Sequence, residues 1–171
     1  MTMKKNLHLY SQIINTDVAV LYALSDNSHL YLLCFIDEKE KKLKTLRQYF
    51  TVEISEQPTS IHRNLEKQMN EYFLGNRVEF DVPLKLWGTD FQKKVWKQLI
   101  NIPYGTTISY EALAHQIGHD KAYRAVGSAN GKNNHVILIP CHRVIAKGGK
   151  LGGYTGGLHI KERLLAVENI E

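Results

Sequence analysis

The feature that most constrains this chain is a change of hydrophobic period near its middle. Before it, "NTDVAVLYALS" and "HLYLLCFID" are short runs rich in β-branched and aromatic residues, separated by the turn composition "DNSH"; they predict paired strands. "EKEKKLKTLRQYF" and "TSIHRNLEKQMNEYFLGN" follow, and in the second Ile61, Leu65, Met69 and Phe73 recur at spacings of four, with Gly75 where a helix should stop. The stretch "VEFDVPLKLWGTD" carries Pro83 and Gly88, has no helical period, and is predicted to bridge two domains. Past it the pattern is helical. The chain therefore divides into an α/β domain over residues 1–86 and a second domain over 87–171. Its 171 residues, 43% of them apolar, suffice for one or two cores.

In the second half, "DFQKKVWKQLINI" places Phe91, Val95, Leu99 and Ile102 along one stripe, with Asp90 as the expected N-cap, Trp96 as core, and Pro103 and Gly105 ending the helix. A short extended "TTIS" leads to two brief helices. Ser109 can cap the first, with Tyr110, Leu113, Ala114 and Ile117 on its apolar face and Gly118 ending it. Asp120 can cap the second, with Ala122, Ala125, Val126 and Ala129 inward. Two short helices joined by a glycine-containing turn make a helix-turn-helix candidate. Gly127 and Ser128, off the inward stripe and near Arg124, suit either tight packing or close approach to DNA.

Charge leaves two readings of this half open, a polyanionic partner or a domain that is merely basic and soluble. Residues 1–87 carry 11 Lys+Arg against 11 Asp+Glu, whereas 88–171 carry 11 against 6, so the whole net charge of +5 lies in the second half. No run approaches the ~18 apolar residues of a membrane span, and the start "MTMKKNLHLYSQ" has no continuous apolar signal region. The expectation is a cytoplasmic protein with no membrane association. Only two cysteines are present, in different contexts, which allows neither a disulfide framework nor a cysteine-rich zinc site. Cys34, inside "LYLLCF", reads as core.

Cys141 is different. "HVILIP" reads as a strand buried on both faces that must stop at Pro140, which cannot donate a ladder hydrogen bond. Cys141 is then presented at a strand end, next to His142 and ahead of the glycine-rich "AKGGKLGGYTGG". A thiol becomes a nucleophile when a base or cation makes it a thiolate, but neighbours on an extended chain point oppositely. From chemistry alone a nucleophile and a buried structural cysteine both remain open.

"FQKKVWKQLINIPYG", "TISYEALA", "RAVGSAN", "IPCHRVI" and "GYTGG", in this order over residues 89–168, resemble the O6-alkylguanine-DNA alkyltransferases, the methylated-DNA–protein-cysteine methyltransferases of direct repair. The resemblance implies an N-terminal ribonuclease H-like α/β domain and a C-terminal winged helix-turn-helix domain. It implies single-turnover transfer of an alkyl group from O6-alkylguanine in double-stranded DNA, and leaves transfer from O4-alkylthymine open. It further implies that no cofactor takes part and that the protein acts as a monomer; no metal is expected, because Cys34 is the only cysteine of the first half.

The resemblance also places roles. Cys141 would be the acceptor, His142 would draw off its proton through a water, and Glu168 would orient the imidazole. Tyr110 would displace the 3' phosphate of the target and protonate the departing guanine. Arg124 would enter the base stack, with Tyr123, Gly127 and Ser128 beside it against DNA. Asn133 would tie the recognition helix to the cysteine-bearing strand. Tyr154 and Thr155 would contact the base, with Val144, Leu151 and Gly152 shaping the pocket wall. The chain departs from the family pattern at Asn134, where a proline is usual, at Tyr123, where alanine is preferred, and in the turn "GHDK". Two other classes compete: a module that binds alkylated guanine without repairing it, which would lack the cysteine, and a thiol protease or redox enzyme, for which "IPCHRV" offers no second thiol.

Overall fold

A computed structural model describes residues 3–170. The chain forms two units, one up to Trp87 and one from Gly88.

In the first unit, β1 (Lys5–Asn15), β2 (Val20–Ser25) and β3 (Leu30–Phe35) form antiparallel pairs, and β4 (Phe50–Glu56) runs parallel to β1, giving the order β3-β2-β1-β4. Helix α1 (Lys39–Tyr49) makes the crossover from β3 to β4, and α2 (Ser60–Phe73) follows. Leu9, Tyr22, Leu24, Leu32 and Cys34 meet Leu43 and Leu46 of α1 on one face of the sheet. Successive strand residues alternate faces, so Leu21, Ala23 and Leu33 turn to the other side, where α2 packs. Burial on both sides explains the continuous apolar runs of β2 and β3.

Strands β1 and β4 escape a reading by hydrophobicity. "KNLHLYSQIIN" buries only Leu9, Ser11 and Ile14, yet it is hydrogen-bonded on both edges, and His8 reaches Ser55 of β4 at 2.7 Å. In α2 the fourth buried position is Tyr72, with Phe73 half-buried and edge-on to it. Thr59 caps the helix in a reciprocal pair with His62.

Most of the stretch expected to bridge two domains, residues 78–87, belongs to the first unit. Leu30 donates to Pro83 O at 2.8 Å, Lys85 donates to Leu30 O at 2.9 Å, and the Trp87 indole donates to Tyr31 O at 2.7 Å from within the core. Pro83 can occupy this edge because only its carbonyl is used. The division thus falls one residue later than expected, after Trp87.

In the second unit, α3 (Asp90–Leu99), α4 (Tyr110–Gln116) and α5 (Tyr123–Gly131) pack on one another. The Trp96 indole, fully buried, donates to Ala129 O of α5 at 2.9 Å. The cap of α3 is Thr89, paired with Gln92, rather than Asp90; Asp90 sits one position later, where its charge faces the positive helix end. Ser109 does cap α4, accepting from Ala112 N at 3.0 Å. Asp120 does not cap α5: its carboxylate takes Nδ1 of His115 at 2.8 Å, and α5 begins after Ala122 with no side-chain cap. The buried stripe of α5 is Val126, Ala129 and Asn130, while Ala125 is exposed. Parallel β5 (Ile108–Ser109) and β6 (Val144–Ile145) precede the final helix α6 (Leu158–Val167).

Candidate active site

The segment before Cys141 is a buried turn, not a strand. Leu138 N donates to Val136 O at 2.8 Å, Ile139 N to His135 O at 2.9 Å, and Ile137 adopts φ +73°. A β-branched residue is costly in that region, so something must hold it there. Asn133 does: its Nδ2 donates to Ile139 O at 2.7 Å and its Oδ1 accepts from His135 N at 2.8 Å. An unbroken apolar run reads as a strand because burial alone sets its composition; the asparagine before it decides its path.

Cys141 opens a single 3-10 turn, Cys141–Arg143, with Arg143 N bonded to Pro140 O at 3.0 Å. At about three residues per turn, the three side chains leave the axis ~120° apart. The turn thus separates a thiol, an imidazole and a guanidinium that are adjacent in sequence.

The latter two converge on Glu168. His142 Nε2 lies 2.6 Å from Oε2, Arg143 Nε donates to Oε1 at 2.8 Å and Nη2 to Oε2 at 3.1 Å. Gly105 N adds a donor to Oε1 at 3.1 Å, and Arg143 Nη1 donates to Ile102 O at 2.7 Å. Arg143, His142 and Glu168 are all buried. Four donors on one carboxylate keep it ionised. An ionised carboxylate only accepts, so His142 donates from Nε2–H and its Nδ1 is left as a lone-pair base. Nδ1 is buried and has no protein hydrogen-bond partner. Burial, first of all, pulls the His142 pKa below the usual imidazole value, with Arg143 and Lys161 adding to this and Glu168 opposing it. The ring is a neutral base.

Cys141 faces a cavity of about 380 Å³ lined by Tyr110, Gly127, Asn130, Gly131, Gly153, Tyr154 and Thr155 as well. That volume falls in the range of small-ligand sites. The Cys141 Sγ is 3.9 Å from the Tyr154 hydroxyl. Burial and the nearby Cys141 charge both raise the Tyr110 pKa, so its hydroxyl keeps its proton and can donate it. The loop that forms one wall is held from behind: Lys161 Nζ donates to Val144 O at 2.7 Å, Leu151 O at 2.5 Å and Gly153 O at 3.3 Å. Thr155 Oγ1 donates to Gly131 O at 2.9 Å, joining the loop to the end of α5.

Of the residues singled out from sequence, Cys141, Tyr110, Gly127, Tyr154 and Thr155 meet at the cavity, and His142, Glu168 and Asn133 stand behind it. Val144, Leu151 and Gly152 are not among the lining residues: Val144 and Leu151 contribute carbonyls to Lys161, and Gly152, at φ +71°, backs onto the Tyr110 ring, where a Cβ would lie 3.2 Å from Cε2. Tyr123, Arg124 and Ser128 lie exposed on α5. Sequence reasoning missed Arg143, Lys161 and Asn130. The first had a signal, since an arginine inside an apolar run requires a buried anion; the other two become visible only when α5 and α6 are packed. Among the described residues, no group of three or more His, Cys, Asp or Glu is placed to hold a metal ion, and no helix is long and apolar enough to cross a membrane.

Residues 90–170 match the model of the 6-O-methylguanine DNA methyltransferase, DNA binding domain, family. A methylated-DNA–protein-cysteine methyltransferase of Methanosarcina mazei is 41% identical over 160 residues, spanning 94% of this chain and 97% of the relative. The chain belongs to the methylated-DNA–protein-cysteine methyltransferase family. A family member from Mycobacterium tuberculosis (strain H37Rv) is 57% identical over 101 residues, a match that spans 59% of this chain and 61% of the relative's length. The crystal structure of Mycobacterium tuberculosis OGT in complex with DNA shares the α/β architecture of mixed sheet and helices, with TM-score 0.78 and 41% identity over 95% of this chain and 92% of that one.

Proposed function

We propose that this chain is a direct-reversal DNA repair protein, a methylated-DNA–protein-cysteine methyltransferase that moves an alkyl group from O6-alkylguanine in duplex DNA to Cys141. The observation that carries this reading is a cysteine at a nucleobase-sized cavity whose neighbouring histidine is neutral and oriented by a buried carboxylate. His142 Nδ1 takes the thiol proton through a water, and the thiolate attacks the alkyl carbon. A C–S bond forms as the C–O6 bond breaks. The electron pair passes into the guanine ring, which is protonated to its normal form with Tyr110 as donor. The thioether is a poor leaving group, so each molecule reacts once. No cofactor enters this balance.

A thiol set into a cavity cannot reach a base inside a duplex, so the target nucleotide is flipped out. Arg124, exposed at the start of α5, fills the gap; Tyr123, Gly127 and Ser128 face the DNA, and Tyr110 displaces the 3' phosphate. Tyr154 and Thr155 contact the base, with Val144, Leu151 and Gly152 shaping the wall behind them and Asn133 holding the turn that delivers Cys141. Helices α4 and α5 with the β5–β6 pair support a winged helix-turn-helix reading of the second domain. The order β3-β2-β1-β4 with a parallel β1–β4 pair supports a ribonuclease H-like reading of the first. Acting on DNA, the protein works as a monomer in the cytoplasm.

The test is incubation with a duplex carrying radiolabelled O6-methylguanine. One label should move to each protein molecule, and Cys141→Ser should abolish transfer while the duplex is still bound. Transfer that survives in this variant refutes the assignment. Duplex binding without transfer by the unaltered chain identifies a lesion-binding module instead.

A further inference from the structure

Arg124 is the second residue of α5 and is exposed, and its Cζ lies 6.0 Å from the ring centroid of Tyr123, the first residue of the helix. Neighbours on a helix leave the axis about 100° apart, so adjacency alone does not bring these groups together. Among the described residues, no hydrogen bond or ion pair holds the guanidinium. Tyr123 is 44% exposed, and it is the one exposed aromatic of the second unit among the described residues.

The start of α5 makes this contact matter. The helix follows Ala122 with no side-chain cap, and its first turn holds no acidic residue. Its unpaired N–H groups give that end a partial positive charge, felt over one turn, which repels the Arg124 cation. The face of an aromatic ring is the negative part of its quadrupole and attracts a guanidinium within about 6 Å. Tyr123 thus supplies attraction where the helix supplies repulsion. The ring is ordered by fixing two side-chain torsions, whereas an untethered arginine has far more rotamer freedom to lose.

We infer that Tyr123 is a positioning residue that acts through Arg124: its ring holds the guanidinium ordered at the start of α5, ready for the gap that a flipped nucleotide leaves. This rests on the insertion of Arg124 proposed above and adds what prepares the arginine for it. Ring and guanidinium share one end of the helix, so DNA that meets Arg124 also covers Tyr123. Water then leaves the pair, which strengthens a cation–π contact. The contact is kept and tightened as the arginine enters the stack.

The test is a double-mutant cycle on methyl transfer, read as the rate on an O6-methylguanine duplex divided by the rate on free O6-methylguanine. Tyr123→Ala should lower this ratio about two- to fivefold, the size of an exposed cation–π contact. It should lower the ratio no further in an Arg124→Ala background. Tyr123→Phe and Tyr123→Trp keep a ring face and should restore the ratio. A drop of the same size with and without Arg124 overturns the inference, because the ring then acts on DNA by itself. A rise in Tyr123→Ala also overturns it, because the ring then restrains the arginine. An Arg124→Ala variant whose ratio is unchanged is a different result, and it removes the insertion reading itself.

Discussion

Arg143 grips both carboxylate oxygens of Glu168, Nε to Oε1 at 2.8 Å and Nη2 to Oε2 at 3.1 Å, beneath the thiol it stands two residues from in sequence. The pair is buried, so removing one partner strands the other's charge. Arg143→Met should lower unfolding stability by about 3–5 kcal/mol, read by chemical denaturation. Arg143→Lys keeps the charge without the fork and should fall between the two. Transfer should slow in the same order, because Glu168 then holds the His142 tautomer less firmly.

Acidification acts on His142 with a definite sign. Its folded pKa lies below the usual imidazole value because burial disfavours the charged ring. The unfolded chain therefore binds the proton first, and stability is complete above about pH 6.5 and declines below it. Burial takes His62, in the first unit, down to about 4, which adds a loss of the same sign. Each group can contribute up to about 1.4 kcal/mol per pH unit in this window. Denaturation curves between pH 7 and 5 should show the decline, and His62→Gln should remove one proton's share of its slope. Transfer by the unaltered protein should fall over the acid limb as His142 gains a proton.

Arg124 is exposed on α5 and makes its one ring contact with Tyr123, 6.0 Å from the ring centroid, among the described residues. Inserted into a base stack, it matters only when a duplex must be opened. Arg124→Ala should slow repair of duplex by tenfold or more, on the order of a lost stacking contact, and leave reaction with free O6-alkylguanine far less affected. Equal losses on both substrates contradict insertion. Duplex affinity should also fall as salt rises.

Lys161 holds the cavity wall through three carbonyls, and burial lowers its pKa to about 8, against the pull of the Cys141 charge. Lys161→Met keeps the volume and removes the donors. Affinity for free O6-alkylguanine should drop about tenfold, and the loop over residues 147–157 should become easier to cut with protease. In the unaltered protein the same weakening should begin as pH rises past about 8, a limb that Lys161→Met should lack.

Much of this was legible in the chain itself. The apolar runs of β2 and β3, the four-residue spacing of α2, the Ser109 cap and the motifs from Phe91 to Gly157 are local patterns, and local patterns report local conformation and kinship. The strands β1 and β4 were not legible, because their backbone is satisfied by neighbours far away in sequence while their side chains stay half polar. The same holds for the turn at Ile137, where apolar burial is compatible with strand or turn and Asn133 chooses between them.

The sequence alone singled out candidates for chemistry: the thiol of Cys141, the histidine beside it and a glycine-rich loop, with a distant glutamate added by the family resemblance. Only the tertiary structure decided how they combine. It brought Glu168 across 26 positions to His142, set Arg143 against the same carboxylate, anchored the cavity wall from behind on Lys161 and placed Asn130 along the cavity. The reason is physical: a buried charge or amide has no meaning along the chain until the fold removes water and supplies the one partner that can satisfy it.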